Sequence, residues 1–108
     1  MARIPTNRIP THPGEILREE FLEPLNMTQR DLSGIINTSY QRVNELVNGK
    51  RGITPDTALR LAKAFGNSAE FWMNLQSQRD IYLAYQKEKD VLESIQPINL
   101  EKHEILPV

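Results

Sequence analysis

The chain has 108 residues, of which 39% are hydrophobic and 25% are charged, and its formal net charge is −1. These proportions are typical of one ordinary globular domain rather than of a disordered chain or a membrane protein. The lack of cysteine excludes disulfides and thiolate metal sites, and the two histidines, His12 and His103, do not have the spacing of metal ligands. We therefore expect neither a metal nor another cofactor.

The sequence also argues against a membrane or secreted protein. No apolar run approaches the ~20 residues that cross a bilayer. The first 15 residues, MARIPTNRIPTHPGE, lack the apolar segment of a signal peptide. We therefore expect a cytoplasmic protein with no membrane partner.

Charge is distributed unevenly along the chain. Residues 1–66 carry nine Lys and Arg against seven Asp and Glu, whereas residues 67–108 carry four against seven. A slightly basic first part attracts phosphate, but so small an excess predicts only moderate DNA affinity for one copy of the chain. Useful binding to DNA would then require a homodimer.

The first residues predict an arm followed by a helix. Residues 1–12 contain Pro5 and Pro10 and no periodicity, so we expect an N-terminal arm without fixed contacts, whose arginines offer contacts to a groove or to another protein. Pro13 suits the start of a helix, and apolar residues at positions 16, 17, 21 and 22 predict a helix over residues 15–22. Pro24 should end it, because the residue before a proline avoids helical geometry.

The next segment predicts a helix that begins after Thr28. The Thr28 hydroxyl can accept a hydrogen bond from a first-turn N–H, and Asp31 places a carboxylate near the positive end of the helix. The i, i+3, i+4 spacing places three residues on one buried face, namely Leu32, Ile35 and Ile36. Asn37 then suits the left-handed conformation that often ends a helix.

A second short helix follows, capped by Ser39 or Thr38. Its apolar stripe consists of Val43, Leu46 and Val47. The opposite side is rich in Gln, Asn and Arg, which pair bidentately with adenine and guanine edges in the major groove. Together the two helices predict a helix-turn-helix that reads DNA, although the solvated face of a small helix bundle would have the same pattern.

Two further helices are expected. Thr54 and Pro55 should start the fourth helix and Gly66 should end it. The residues predicted to face inward are Ala58, Leu59, Leu61, Ala62 and Phe65. Ser68 should cap a longer fifth helix, and we assign its aromatic residues, including Trp72, to packing. Its pattern fades near residues 91–95.

The tail, residues 98–108, is compatible both with a short strand that pairs with another chain and with a frayed end. The predicted fold is therefore all-α, with five helices. We expect a helix-turn-helix domain with its long C-terminal helix over residues 13–95, between the N-terminal arm at residues 1–12 and a C-terminal tail at residues 96–108.

Several motifs resemble those of one protein family. In chain order they are HPGEIL at residues 12–17, MTQRDLSGIIN at 27–37, NELVNGKRGITPDTALRLAKAFG at 44–66 and SAEFWMNLQ at 68–76. They resemble the HigA-type, VapI-related antitoxins of bacterial toxin–antitoxin modules, whose DNA-binding part is similar to the Xre helix-turn-helix of phage repressors. One difference is Asn37, which stands where Xre domains often have glycine.

The resemblance implies a homodimeric repressor that binds the operator of its own operon, an inverted repeat. It also implies a second partner, a HigB-like toxin, which is a small basic ribonuclease of the RelE type that cleaves mRNA. The family's pattern places phosphate contacts at the start of the second helix and in the loop after the third helix, with base-facing residues between them. The residues so assigned to DNA binding are Gln29, Ser39, Tyr40, Gln41, Arg42, Asn44, Glu45, Lys50 and Arg51.

Other functions share parts of this pattern. A plain Xre-type repressor with no toxin partner would have the same residues 28–51, and an adjacent toxin gene is what distinguishes the antitoxin. An enzyme is not expected, because the sequence has no paired nucleophile and base, no phosphate-binding glycine loop and no metal spacing. We expect the toxin to contact the acidic C-terminal portion and the arm, because the family's toxins are basic.

Overall fold

The chain folds as a succession of five helices over residues 8–99, the part that this computed structural model describes. Helix α1 spans Pro13–Ile16 and continues as a π-helical segment over Leu17–Leu22. The others are α2 (Gln29–Ile35), α3 (Tyr40–Val47), α4 (Pro55–Phe65) and α5 (Ala69–Ser94). The predicted all-α class with five helices is confirmed.

The hydrophobic core lies where these helices meet. Its fully buried side chains come from every helix, and they are Leu17, Leu32, Val43, Leu61 and Trp72. The indole ring of Trp72 lies 5.1 Å from the ring of Phe21 and 5.0 Å from that of Phe71, and its N–H donates to the Asn67 side-chain oxygen at 2.9 Å. Packing is thus the role of Trp72, as predicted.

The first helix differs from the prediction in its geometry. It begins at Pro13 rather than residue 15, and from Leu17 onward it is a π-helix, in which the Glu23 N–H donates to the Arg18 carbonyl at 3.0 Å. Leu17 and Leu22 are both buried although they are five residues apart. In an α-helix they would lie roughly 140° apart around the axis, whereas the wider π-turn brings residues five apart onto one side.

Two apolar residues that were predicted to face inward are exposed. Ile35 is 54% exposed and Leu59 is 63% exposed. Neighbouring positions on a helix differ by roughly 100° around the axis, so burial of Ile36 in α2 and of Ala58 in α4 turns Ile35 and Leu59 outward. The prediction that both residues belong to the core was wrong.

The start of α4 also differs in detail. Thr54 is the N-cap residue and Pro55 is the first helical residue, as predicted, but the Thr54 side chain does not bond the helix backbone. Its hydroxyl donates instead to the carboxylate of Asp56 and contacts the hydroxyl of Thr57. Thr57 is buried, and the apolar pattern did not single it out.

The N-terminal arm is fixed at its inner end. The Arg79 guanidinium donates to the Pro10 carbonyl at 2.8 Å, which corrects the expectation of an arm without fixed contacts for residues 8–12. Residues 1–7, with Arg3 among them, lie outside the described residues. At the other end, residues 95–99 have no regular secondary structure. The rest of the tail for which a strand was considered, residues 100–108, lies outside the described residues.

His12 joins this arm to α1. Its Nδ1 accepts a hydrogen bond from the Gly14 N–H at 2.8 Å and so caps the helix. Burial lowers the pKa of His12, with a further contribution from the nearby Arg79 cation, and a hydrogen bond to the backbone of Arg51 opposes them. A neutral imidazole therefore fits this site, because a protonated Nδ1 cannot accept the capping bond.

Helix α5 extends beyond the body of the domain. It has 26 residues, which corresponds to about 39 Å. Its first turns pack on α4 and α1, whereas every residue from 86 to 99 is exposed. No helix within residues 8–99 combines the length and apolarity needed to cross a lipid bilayer.

Gly14 marks the closest approach between two helices. A Cβ atom added at this position would lie 1.8 Å from the Leu46 carbonyl oxygen of α3. We predict that Gly14→Ala destabilises the fold by about 1–3 kcal/mol, because α1 must move away from α3. Gly34→Ala is the matched control, since a Cβ there meets nothing within 4 Å and should stabilise α2 by at most about 1 kcal/mol. Urea denaturation measures both, and equal effects would refute the close-approach argument.

The lowered pKa of His12 predicts a pH dependence of stability. Because the folded pKa lies below the ordinary value of 6.5, the neutral form stabilises the fold above that pH, and this contribution is lost as the pH falls through the folded pKa. His12→Asn keeps a capping acceptor but does not titrate. We expect wild type to lose more unfolding free energy than His12→Asn between pH 7 and 5; parallel curves would contradict this.

Candidate nucleic-acid interface

The turn between α2 and α3 is held from both sides. Asn37 has φ 55°, as predicted for a residue that ends a helix, and the Thr38 N–H donates to the Ser33 carbonyl at 3.0 Å. The Arg60 guanidinium of α4 donates to the carbonyls of Ile36 and Asn37 at 2.8 and 2.6 Å. The last carbonyls of α2 are thereby satisfied, and the turn is tied to α4.

Both helices of the pair begin with side-chain caps. Thr28 Oγ1 accepts from the Asp31 N–H at 3.0 Å, while the Asp31 carboxylate accepts from the Thr28 N–H at 3.0 Å. The hydrogen bond from the Thr28 N–H, followed by a contribution from the Thr28 side chain, lowers the pKa of Asp31. In α3 the cap is Ser39, whose hydroxyl accepts from the Arg42 N–H at 3.1 Å, so Ser39 rather than Thr38 is the capping residue.

The end of α3 brings the loop cations back towards the helix. Gly49 has φ 75°, its N–H donates to the Leu46 carbonyl at 3.1 Å, and the Lys50 N–H donates to the Glu45 carbonyl at 2.8 Å. This pair of bonds is the Schellman arrangement, which reverses the chain immediately after a helix. Lys50 and Arg51 therefore lie next to the C-terminal turn of α3.

One hydrogen bond joins α2 to the outer side of α3. The Asn44 side-chain N–H donates to the Gln29 side-chain oxygen at 2.9 Å. The amide group of Gln29 keeps both of its N–H donors for another acceptor. Gln29, at the first position of α2, is thus oriented by a residue of α3.

Tyr40 and Arg42, the first and third residues of α3, each have a charged neighbour. The Arg30 guanidinium lies 4.4 Å from the centre of the Tyr40 ring, which is a cation–π distance. The Arg42 guanidinium lies 3.8 Å from a carboxylate oxygen of Asp56, and both side chains are well exposed. Surface ion pairs of this kind contribute only about 0–1 kcal/mol, so Arg42 can exchange Asp56 for another acceptor at little cost.

Three predicted residues form a connected group on the outer face of α3. Glu45 accepts from Arg51 at 2.8 and 3.1 Å through one carboxylate oxygen and from Gln41 at 3.1 Å through the other. The hydrogen bond from Arg51, followed by that from Gln41, lowers the pKa of Glu45, so the carboxylate stays charged near neutral pH.

The structure thus connects most of the predicted residues through α3. Gln29 and Asn44 form one pair, and Gln41, Glu45 and Arg51 form a second group. The Lys50 side chain is exposed and makes no hydrogen bond or ion pair within residues 8–99, although its charge contributes to the low pKa of Glu45.

This surface also includes Arg30 and Asp56, which the sequence pattern did not predict. Both become neighbours of α3 only through the packing of α2 and α4 around it. A weak sequence signal existed for Arg30, which follows Gln29 near the N-terminus of α2, where exposed cations commonly meet phosphates.

The side chains of this surface are chemically suited to contacts with the bases and phosphates of a nucleic acid. Amide and guanidinium groups of α3 match the donors and acceptors of bases, and the cations and free amides at its borders match phosphates. The described residues of this surface include no nucleophile paired with a catalytic general base and no glycine-rich phosphate-binding loop.

Comparison with known proteins agrees with this geometry. The family model described as "Helix-turn-helix" matches residues 18–72. Virulence-associated protein I of Dichelobacter nodosus is 44% identical over 86 residues, which cover 79% of this chain and 80% of that protein. Antitoxin HigA-1 of Vibrio cholerae is 33% identical over 93 residues, covering 86% of this chain and 88% of that protein.

A solved structure extends the comparison to three dimensions. The Pseudomonas aeruginosa antitoxin HigA, solved with the higBA promoter, has a TM-score of 0.78 to this chain and is 42% identical. The match covers 82% of this chain and 98% of that one. The chain therefore belongs to the helix-turn-helix family and, within it, to the HigA-type antitoxins.

Proposed function

We propose that the chain is a cytoplasmic homodimeric antitoxin that represses its own operon by binding operator DNA and neutralises the toxin encoded with it. The observation that carries the DNA part is the outer face of α3, where base-matching side chains are held in place between phosphate-matching groups. The relative solved with the higBA promoter and the relative named antitoxin HigA-1 support both parts. The family consists of DNA-binding regulators, in agreement with the prediction that the chain is not an enzyme.

Operator recognition would use α3 in the major groove. Gln41 and Arg42 lie in its first turn, which in helix-turn-helix proteins contacts base edges. Ser39 and Tyr40 lie at the point of entry, and the Arg30 guanidinium against the Tyr40 ring adds positive charge there. Gln29 lies beside Asn44 of α3 and Lys50 lies at the C-terminal end of α3, so we assign a phosphate contact to each.

The dimer is proposed to form through the outer half of α5. A shallow groove there is lined by Ile81, Ala84, Tyr85, Glu88 and Leu92. The series 81, 85, 88 and 92 follows the alternating four- and three-residue spacing of a coiled coil, and Ile81 and Leu92 are 43% and 44% exposed. A second copy related by a two-fold axis would cover this apolar stripe.

The two-fold axis has a consequence for the operator. Two recognition helices in successive major grooves are about 34 Å apart, one turn of the DNA helix. The operator should therefore be an inverted repeat whose half-site centres are separated by about 10 base pairs. Two copies also double the phosphate contacts, which compensates for the small positive charge of one copy.

Toxin neutralisation is proposed from the relatives, and the structure suggests where a basic partner would meet the chain. Two acidic residues of α5, Asp90 and Glu93, are exposed on the part of the helix that leaves the domain and do not line the proposed dimer groove. They lie far along the chain from the DNA-facing helices, so a toxin could bind there while α3 faces the operator. Steering by such charges depends on ionic strength.

A plain repressor without a toxin remains the competing function, because two relatives in Haemophilus influenzae and Escherichia coli carry only the description of uncharacterised transcriptional regulators. The neighbouring reading frame separates the two. A small basic protein encoded next to this chain that co-purifies with it would support the antitoxin function, whereas a neighbour that does not bind would favour the plain repressor.

Substitutions on the DNA-facing surface should separate base reading from phosphate binding. We predict that Gln41→Ala and Arg42→Ala each weaken operator binding by about 1–3 kcal/mol with little change on scrambled DNA, because each loses a contact to base edges. Lys50→Ala should weaken both DNAs equally and lower the salt slope by about 0.9. Gel-shift titrations at two salt concentrations measure this.

Lys87→Ala is the matched control for Lys50→Ala, because Lys87 is an exposed cation on α5, away from α3. It should leave both DNA affinities and the salt slope unchanged. An equal loss on operator and scrambled DNA for Gln41→Ala and Arg42→Ala would contradict direct base reading.

A pair of substitutions tests the dimer surface. Ile81 and Leu83 are 43% and 41% exposed, but they lie on opposite sides of α5, and Ile81 alone belongs to the proposed stripe. Ile81→Lys should raise the dimer dissociation constant by at least about tenfold, since it places a charge in an apolar contact. Leu83→Lys should leave it near the wild-type value. Analytical ultracentrifugation provides the measurement, and equal dissociation of both variants would exclude this surface.

A further inference from the structure

The side chain of Arg51 is held against α3 by an ion pair although 41% of it is exposed. Its Nε and Nη2 atoms both donate to the same oxygen of Glu45, at 3.1 and 2.8 Å. A loop cation that serves only as a phosphate contact needs no such partner. The carboxylate of a base-facing residue instead fixes the orientation of this guanidinium over the outer face of α3.

We propose that Arg51 is a specificity-determining residue that reads a guanine of the operator, and that Glu45 is the positioning residue that holds it. This inference rests on the proposed operator binding. It replaces the phosphate contact that the family pattern implied for Arg51 and assigns Glu45 a role without a base contact of its own.

The hydrogen-bond inventory of the guanidinium supports the assignment. Arginine has five N–H donors, and Glu45 engages the side edge formed by Nε and Nη2. The end edge, formed by Nη1 and the remaining N–H of Nη2, stays free. Two parallel donors on this edge match the O6 and N7 acceptors that guanine presents in the major groove.

The same inventory leaves Gln41 able to read a neighbouring base. Its side-chain N–H donates to the second oxygen of Glu45 at 3.1 Å, which leaves one N–H donor and the carbonyl oxygen. A donor and an acceptor side by side match the N7 and N6 groups of adenine. Glu45 thus orients two potential readers at once.

The carboxylate of Glu45 is tolerable near DNA because it is paired. Its pKa is lowered by the Arg51 and Gln41 hydrogen bonds, and Lys50 and Arg51 add favourable charge. An unpaired carboxylate close to the phosphates would be repelled. The negative charge of Glu45 is balanced by the positive charge of Arg51, so the pair carries no net charge.

The backbone next to Arg51 is fixed as well as its side chain. The Lys50 N–H donates to the Glu45 carbonyl at 2.8 Å. This hydrogen bond restricts where the Arg51 side chain can start. An exposed ion pair adds only about 0–1 kcal/mol to stability, so loss of Glu45 should change DNA recognition much more than folding.

The test uses the full chain with the DNA segment protected upstream of its own gene and a scrambled version of it. Arg51→Lys keeps the charge but loses the planar pair of donors. We expect it to reduce the ratio of operator to scrambled affinity by about tenfold or more while the salt slope stays unchanged. Glu45→Ala should reduce the ratio at least as much, because it releases both Arg51 and Gln41, and adding it to Arg51→Lys should reduce the ratio by less than it does in the wild-type chain.

Two additional arms distinguish positioning from general structure. Glu45→Gln retains a carbonyl acceptor for Arg51, so it should recover part of the specificity that Glu45→Ala loses. Replacing each operator guanine in turn by 7-deazaguanine removes the N7 acceptor but keeps base pairing. At one guanine per half-site this should weaken wild-type binding by about tenfold, and Arg51→Lys should be insensitive to it.

The outcomes separate this inference from the proposed function. A phosphate contact predicts another result: Arg51→Ala loses the same affinity on both DNAs and its salt slope is lower by about 0.9, whereas Arg51→Lys keeps the full affinity. That result would overturn the inference but not operator binding. Unchanged specificity in Glu45→Ala, or no guanine whose N7 matters, would overturn it too. Only a wild-type chain that does not prefer the operator would refute the proposed function itself.

Discussion

The relative placement of α2 and α3 depends on one side chain from a third helix. Arg60 of α4 donates to the last two carbonyls before the turn, and Asn37 supplies the left-handed residue that the turn requires. Charge-assisted hydrogen bonds of this kind contribute more than neutral ones. Where α1 meets α3, Gly14 lies so close to the Leu46 carbonyl that no side chain fits between them, and this close approach sets the distance between the two helices. The recognition helix is therefore oriented by the domain and does not depend on DNA for its position.

A second layer of order lies on the outer face of α3. Gln29 is bonded to Asn44, and Glu45 holds both Gln41 and Arg51, so these polar side chains have partners before any DNA is bound. Side chains that are already ordered lose less conformational entropy on binding. The small net charge of the chain fits this design, because recognition then relies on oriented hydrogen bonds as well as on attraction to phosphate.

Local signals in the sequence predicted the local features well. The reciprocal cap of Thr28 and Asp31, the left-handed Asn37 and the helix end at Gly66 each depend on a few adjacent residues, and all are present in the structure. Features that depend on distant packing were not predictable in the same way. The apolar pattern of α2 did not show that Ile36 is buried and Ile35 exposed. In the first helix, the pattern predicted α-helical spacing, whereas Leu17 and Leu22 lie in a π-helix. Among the site residues, the types and approximate positions came from the sequence and the family resemblance, whereas the pairing of α3 residues with each other and with α2 came only from the fold.

We propose that this surface recognises the operator of its own operon as a two-fold dimer. A DNase I footprint of the purified chain on the promoter upstream of its own gene is the decisive experiment. We expect one protected inverted repeat with half-site centres about 34 Å apart, and no protection on a control promoter of the same length. Absence of protection, or protection spread evenly over both promoters, would contradict it.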